Sequence, residues 1–558
     1  MDFNRYFTNE EVEEILQQWA AFYPALFSIQ VIGKSYEKRP IFLATITNQE
    51  SGPAEEKPAV WLDANLHATE IAGTTAVLHI ADTLLRGYEN DEQCTRLLDH
   101  ATFYIVPRIN PDGAAQVLAE SPRFPRSGIR SYPWEEPAEG LHIQDIDGDG
   151  RILQMRIQDD SGDWKVSTLD ERMMEKRAPD EHGGTYYRLL PEGLLHDYDG
   201  HIIKMAPPHA GLDFNRNFPY QWRAENEQAG AGPYPVSEPE TRAIVDFLVQ
   251  HPNINVGITY HTYSGVILRP FGASPDEEME TNDLWVFEKM GEIGADITGY
   301  PCVSVYHDFR YHPKQITTGT FDDYLYDQLG HFAFTVELWD LVGEAGIKER
   351  KWIEWFRKHP HEHDLKILEW LDQHGEHDAY ATWTPFEHPQ LGPVEIGGWN
   401  RLYSWRNPPP GLMQREAERN TPFALSLGDM LPRLNIRSLE TKSLGTGYFL
   451  LEVVVENTGF LPSYTSLQGK KRRVMRPVRA EITLPEGIHI QEGQPRIELG
   501  HLEGRSNKLS VSHTARSPTD NRAKVSWLLH APEGGSVQLS IRSERAGAIH
   551  EDIELTLK

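Results

Sequence analysis

Cysteine is nearly absent. The 558 residues contain only Cys94 and Cys302, far apart and in no Cys-x-x-Cys pair. A disulfide framework and a thiolate-rich zinc site are therefore both excluded. No stretch approaches the ~18 uninterrupted apolar residues of a membrane span. The first twenty residues, Met1 to Ala20, are acidic and amphipathic and lack the basic and apolar regions of a secretory signal. The resulting expectation is a reducing, cytoplasmic compartment. Positive charge is also scarce, with 54 Lys+Arg against 83 Asp+Glu and a net charge of −29. Such a surface repels phosphate backbones and anionic lipid, so neither nucleic acid nor a membrane is an expected partner. No G-x-x-x-x-G-K-[ST], and no G-x-G-x-x-G in strand context, supports nucleotide chemistry.

What is present is a 39% apolar fraction, enough for a real core, and length for about three or four domain-sized units. From Val60 to Asp340 short apolar runs alternate with helical stretches, which predicts an α/β layer fold. Ala59–Asp63, Thr102–Pro107, Asn255–Tyr260 and Phe332–Val336 read as strands, and Ile71–Leu85 and Glu240–Val249 as helices. Between about residues 114 and 210 Gly, Pro and acidic residues accumulate, which reads as an insertion. Ala345–Gln373 reads as mostly helical, and Pro408-Pro409-Pro410 as a linker. The division expected is a catalytic unit over 1–415 and an all-β sandwich, immunoglobulin-like or transthyretin-like, over 430–558.

The chemistry gathers after the strands. His67 and Glu70 leave the first strand in a tight loop, His261 follows Asn255–Tyr260, and Glu337 follows Phe332–Val336. Open α/β sheets place their ligand crevice past the carboxyl ends of strands. His67 and Glu70 can reach one ion, and a distant His261 completes a His₂Glu set with the fourth zinc position open.

Further motifs follow in order: Asn110-Pro111-Asp112-Gly113, Asp213-Phe214-Asn215-Arg216-Asn217-Phe218, Ser237-Glu238-Pro239-Glu240-Thr241, His261-Thr262-Tyr263-Ser264 and Phe334-Thr335-Val336-Glu337-Leu338. With His67-x-x-Glu70 and the opening Ile32–Pro40 segment, this series resembles the zinc carboxypeptidases of the carboxypeptidase A type, over roughly residues 5–345. The resemblance implies a three-layer α/β/α domain with a mixed central sheet. It further implies zinc on His67, Glu70 and His261, Asp213 orienting a ligand histidine, and Glu337 as the general base for a metal-activated water. Asn215 and Arg216 would hold the terminal carboxylate of a peptide substrate, a task suited to a planar guanidinium fork.

The sequence departs from that pattern in four places. Thr69 stands where the family carries an arginine. Arg126 and Arg130 both qualify as the arginine that polarises the scissile carbonyl. Lys314 and Gln315 occupy the place of the mobile tyrosine, with Tyr311 as a nearby substitute. The insertion lengthens the gap between Glu70 and His261. At the pocket position that sets side-chain preference, alignment places Asp322, favouring a basic C-terminal residue, or Phe321 if shifted by one. Two rival readings remain: a zinc-dependent amidohydrolase acting on N-acyl amino acids or cell-wall peptides, against which the Asn215–Phe218 and Ser237–Thr241 motifs speak, and an inactive binding protein, against which the three metal ligands together with Glu337 speak.

Asp145, Asp147 and Asp149 form a D-x-D-x-D-G opening that is a candidate calcium loop, with Asp159 or Asp160 as completing ligands. Arg156 stands where an EF-hand needs glutamate, so the plainer reading is an acidic turn. His359-Pro360-His361-Glu362-His363 matches H-x-x-E-H, but Pro360 keeps His359 off a shared helical face. A solvated helix cap is the expectation there.

Overall fold

Apolar side chains that alternate along a strand need cover on both faces, and the first unit supplies it. The computed structural model describes residues 1–506 and 517–557 other than 313 and 349. Eight strands form one sheet: β1 (Phe27–Lys34), β2 (Pro40–Ile46), β3 (Ala59–Ala64), β4 (Thr102–Val106), β5 (Ile254–Thr262), β6 (Val266–Arg269), β7 (Cys302–Ser304) and β8 (Phe332–Leu338). Their order is β1-β2-β4-β3-β5-β8-β6-β7. The central four, β4, β3, β5 and β8, run parallel, whereas β2 and β6 pair antiparallel with them, so the sheet is mixed as expected.

On β3, Val60, Leu62 and Ala64 face a layer containing helices Ala72–Gly87, Thr281–Thr298 and Met413–Asp429. Ala59 and Trp61 face the opposite layer with helices Pro239–Gln250 and Phe321–Leu329. This period of two, buried on both faces, makes each central strand a continuous apolar run. Full burial of one such large side chain is worth about 1.5–3 kcal/mol.

Two expectations are corrected. Pro408–Pro410 is not a linker between units. Pro410 opens a short turn leading into the Met413–Asp429 helix, whose Ala417, Phe423, Ala424 and Leu427 are buried in the first unit's core. Proline suits such a helix start because its missing N–H has no partner there anyway. The first unit therefore runs past 415, up to the first sandwich strand at Leu434. The insertion is joined to a later part of the first unit. Its strands Gln154–Gln158, Tyr187–Pro191, Trp164–Val166 and Met174–Lys176 extend a six-stranded sheet begun by the hairpin Tyr380–His388 and Gly392–Trp399.

The C-terminal strands form two four-stranded antiparallel sheets around Trp527, Val453, Leu451 and Leu539. Arg545 anchors this sandwich to the first unit through the carbonyls of Ile254 and Leu329, and its own carbonyl accepts from the Asn255 side chain at 2.9 Å. Ile254 opens β5 and His261 lies seven residues further along. At about 3.3 Å per residue the sandwich docks some 23 Å from that histidine, at the other end of the strand.

Candidate metal centre and its cleft

The loop after β3 is shaped by Asn65, which takes a left-handed backbone (φ 57°) and donates its side-chain amide to the carbonyls of His67 and Ala68. Asparagine tolerates that conformation better than most residues. Glu70 sits at the base of helix Ala72–Gly87. The first N–H of that helix is accepted by Asn407, whose amide also donates to the Thr69 carbonyl at 2.8 Å. His261 and Glu337 do not follow their strands but lie within them, paired in register across β5 and β8.

These elements bring three ligand atoms together. His261 Nδ1 lies 3.0 Å from His67 Nδ1 and 2.8 Å from Glu70 Oε2, and His67 Nδ1 is 3.0 Å from the same carboxylate oxygen. All three residues are buried, at 1–4% exposure. Ligand atoms of a tetrahedral zinc site stand about 3.3 Å apart, so the set is only slightly contracted. Two lone-pair nitrogens and a carboxylate oxygen converging in a dry site is a donor set that fits zinc. His67 Nε2 is turned away, 3.1 Å from Asp213 Oδ1, which fixes its ring with Nδ1 toward the centre. Burial raises the Glu70 carboxyl, but His67 and His261 outweigh it and hold Glu70 well below the ordinary range.

Asp213 is a hub. It also accepts from Arg126 Nε at 3.0 Å and lies 3.8 Å from Arg216 Nη2. Buried as it is, Arg126, Arg216 and His67 keep it well below the usual carboxylate range. Glu337 is the opposite case. Burial and the neighbouring Glu70 charge push its carboxyl up to about 7. A cleft of about 380 Å³ opens on the triad, with Arg126, Asp213, Arg216, Tyr311 and Glu337 in its wall.

The remaining expected residues divide. Arg126 is at the cleft, held there because Ala68 N–H donates to its carbonyl at 3.0 Å and Asn110 donates to the Ser127 carbonyl at 2.7 Å. Arg130, the other candidate, is not at the cleft: it forms a bidentate pair with Glu238 at 2.6 and 3.1 Å. Asn215 uses its side-chain oxygen to accept from Phe321 N–H at 2.8 Å, which leaves its amide NH₂ as the group that could face a substrate. Gly319 (φ 66°) comes so close to Arg216 that a Cβ there would lie 2.4 Å from its carbonyl oxygen, so the turn of Gly319 fixes the arginine's backbone. Tyr311 is half-exposed at the cleft. Asp322 is buried, accepting from Thr335 Oγ1 at 3.3 Å on the strand that carries Glu337, whereas Phe321 packs against Phe218 in the core.

Several motif residues prove to be scaffold. Asp112 accepts from Ser35, Arg39 and Glu37 N–H, and Thr241 donates to Asn217 at 2.7 Å. Arg406 carried no sequence signal, yet it lines the cleft 3.6 Å from Glu70 Oε1.

Asp145, Asp147 and Asp149 also come together, each offering an oxygen within 4.8 Å of the others. Asp145 accepts from Gly148 and Gly150 N–H, Asp147 from Asp149 N–H, and Asp149 pairs with Arg151. Asp159 is engaged by Ser161 and Arg188, and Arg156 by Glu395 at 2.7 Å. His359 pairs with Asp364 and His363 accepts from Trp355, but the His361–Gln373 helix begins at Pro360 with no side-chain cap, so the expected histidine cap is not formed. Among the described residues the triad and the three aspartates are the two metal-capable groups, and no helix is long and apolar enough to cross a membrane.

Comparison with known proteins agrees with this geometry. Residues 12–345, well over half the chain, match the family described as zinc carboxypeptidase. The chain belongs to the zinc carboxypeptidase family. Zinc is the metal of that family, and the buried triad is a group that could hold it here. Residues 433–554 match a family described only as a domain of unknown function. Among individual relatives, bovine (Bos taurus) carboxypeptidase B2 is 22% identical over 61% of this chain and 64% of that protein. Pig (Sus scrofa) carboxypeptidase A1 is 24% identical over the same shares, and mouse (Mus musculus) carboxypeptidase A2 is 25% identical over 51% of each. The zinc carboxypeptidase match thus spans between half and two thirds of these relatives' length. Solved structures similar to it include carboxypeptidase A from Helicoverpa armigera, at 18% identity and TM-score 0.40 over 67% of this chain and 74% of that one. Thrombin-activatable fibrinolysis inhibitor gives 20% identity and TM-score 0.39 over 67% and 75%.

Proposed function

We propose that the chain hydrolyses the C-terminal peptide bond of peptides. The observation that carries this reading is that one cleft is lined by His67 and Glu70 of the triad, by Glu337 and by the Arg216 guanidinium, with His261 buried directly behind the other two ligands. Arg216 takes the terminal carboxylate, joined by the Tyr311 hydroxyl at the cleft and by the amide of Asn215, the residue before Arg216. Zinc, when bound, polarises the scissile carbonyl and the attacking water. Glu337, with its carboxyl near 7, takes a proton from that water and returns one to the leaving amine. Arg126 offers N–H donors to the oxygen on which negative charge develops. Asp213 holds His67 and both arginines in place. Asp322, which accepts from Thr335 on the strand that carries Glu337, would favour a basic last residue if substrate reaches it.

The experiment is a profile of residues released from a peptide library, with and without chelator, run beside C-terminally amidated copies. The free acids should be cleaved and the amides should lose most of that rate. Arg216→Ala should raise KM for the acids, with some loss of kcat, and change amide cleavage little. Equal cleavage of acids and amides by the wild type would make the enzyme an amidase or endopeptidase instead.

A further inference from the structure

We propose that Asn407 is a positioning residue of the metal centre: it grips the backbone on both sides of Glu70 and so sets the affinity for zinc. The inference rests on the His67–Glu70–His261 triad as the zinc site, and not on which bond is cut there.

The segment from His67 to Ile71 leaves a strand and enters a helix, so its backbone groups have no ladder to join. Such groups are costly to leave unpaired away from water. Two asparagines meet that need. Asn65, within the loop, donates to the carbonyls of His67 and Ala68 at 2.8 and 3.2 Å. Asn407, 338 residues beyond Thr69, takes the next two groups. Its Nδ2 donates to the Thr69 carbonyl at 2.8 Å, and its Oδ1 accepts from Ala72 N–H at 3.0 Å. Those groups lie immediately before Glu70 and just after it. Ile71 stands at the N-cap of the Ala72–Gly87 helix and has no side-chain acceptor, so Asn407 caps that helix from a distance.

Asn407 is itself held firmly. It is fully buried, and both its amide Nδ2 and its backbone N–H donate to the Leu402 carbonyl at 3.0 Å. In the Leu402–Arg406 turn before it, the Ser404 carbonyl accepts from Trp339 Nε1 at 2.6 Å. Trp339 lies two residues after Glu337, so one rigid framework joins that strand to the loop carrying Glu70. Bringing three lone-pair donors within 3.0 Å of one another is electrostatically unfavourable, and the backbone must hold them there. A loop free to relax has to be ordered again at the expense of binding energy when the ion arrives. Asn407 lies outside residues 12–345, so this hold on the loop comes from chain beyond the region that matches the family.

The test is the zinc affinity of the full-length protein, read by competition with a chelator and with no substrate present. Asn407→Ala should weaken zinc binding about 10–100-fold, the usual cost of removing an outer support of a metal ligand. Zinc release to excess chelator should be faster to match. Asn420→Ala is the control for general destabilisation. Asn420 is also fully buried, and its amide donates to the carbonyl and side chain of Glu416 within the Met413–Asp429 helix. That variant should melt at a lower temperature yet keep zinc affinity within about 2-fold of wild type. If Asn407→Ala does not fold, Asn407→Ser carries the comparison. It has one polar atom where Asn407 uses two, and should show a smaller loss in the same direction. Unchanged affinity in a folded Asn407 variant, or an equal loss in Asn420→Ala, overturns the proposal and leaves the triad standing. A wild type that binds no zinc overturns the triad, and this proposal with it.

Discussion

The His67–Glu70–His261 triad is 1–4% exposed and draws its ligands from two distant segments, whereas Asp145, Asp147 and Asp149 come from a single turn and lie largely in solvent. In the turn, each carboxylate is already satisfied by a neighbouring N–H or by Arg151. Its charges are hydrated and lose little without a cation. In the triad, the ligand atoms face one another at 2.8–3.0 Å, and Asp213 fixes the orientation of the His67 ring. Proximity is common to both clusters. Only the buried one is pre-organised, and burial of polar atoms is costly unless something completes their interactions.

The largest effect should come from removing a ligand of the buried set. His261→Ala should lower bound zinc from about one per chain to near zero by metal analysis and abolish hydrolysis with it. Full zinc occupancy in that variant would refute the triad. Glu337→Gln should separate chemistry from metal binding, keeping zinc while kcat falls about 10²–10⁴-fold at nearly constant KM. A parallel loss of zinc would make Glu337 a ligand rather than a base.

The acidic turn is seated on Glu192, which is fully buried and accepts N–H bonds from Ile146 and Leu153 at 2.7 and 2.8 Å. Burial, together with Asp147 and Asp145, raises its carboxyl to about 7. An acid whose folded pKa is raised favours folding most below its unfolded value near 4.5, and that advantage is lost as pH climbs to about 7. Glu192→Gln should therefore gain on wild type by roughly 1–3 kcal/mol between pH 5 and pH 8, read as the difference between urea denaturation curves. A constant difference across that range would show that Glu192 does not titrate there.

Asp147→Ala should do least. With its charge solvated, the variant should melt within about 1 °C of wild type, with or without millimolar Ca²⁺. A calcium-induced rise confined to the wild type would move the turn from the solvated class into the metal-binding class and so break the comparison.

The central strands were legible because burial on both faces leaves an uninterrupted apolar run. Ala59–Asp63 and Phe332–Val336 were each read to within two residues of the strands observed. The edge strands β1 and β2, with their mixed burial, and the hairpin Tyr380–Trp399 gave no such signal. The Met413–Asp429 helix was obscured by the prolines before it and by Pro422 within it.

The spacing of His67 and Glu70 allows both to reach one ion, but H-x-x-E occurs by chance in many chains and carries weight only beside the other motifs. The ordered motifs then pointed to His261, Asp213, Arg216 and Glu337. The choice between Arg126 and Arg130 belonged to the tertiary structure. The two lie four residues apart in one irregular loop, and only the Ser127 and Ala68 contacts on one side and Glu238 on the other send them apart. Arg406 is of the same kind, since it reaches the cleft from a segment whose position is set by packing rather than by spacing. Local sequence fixes what a segment can offer; which offers meet is decided by the layers that bring distant segments together.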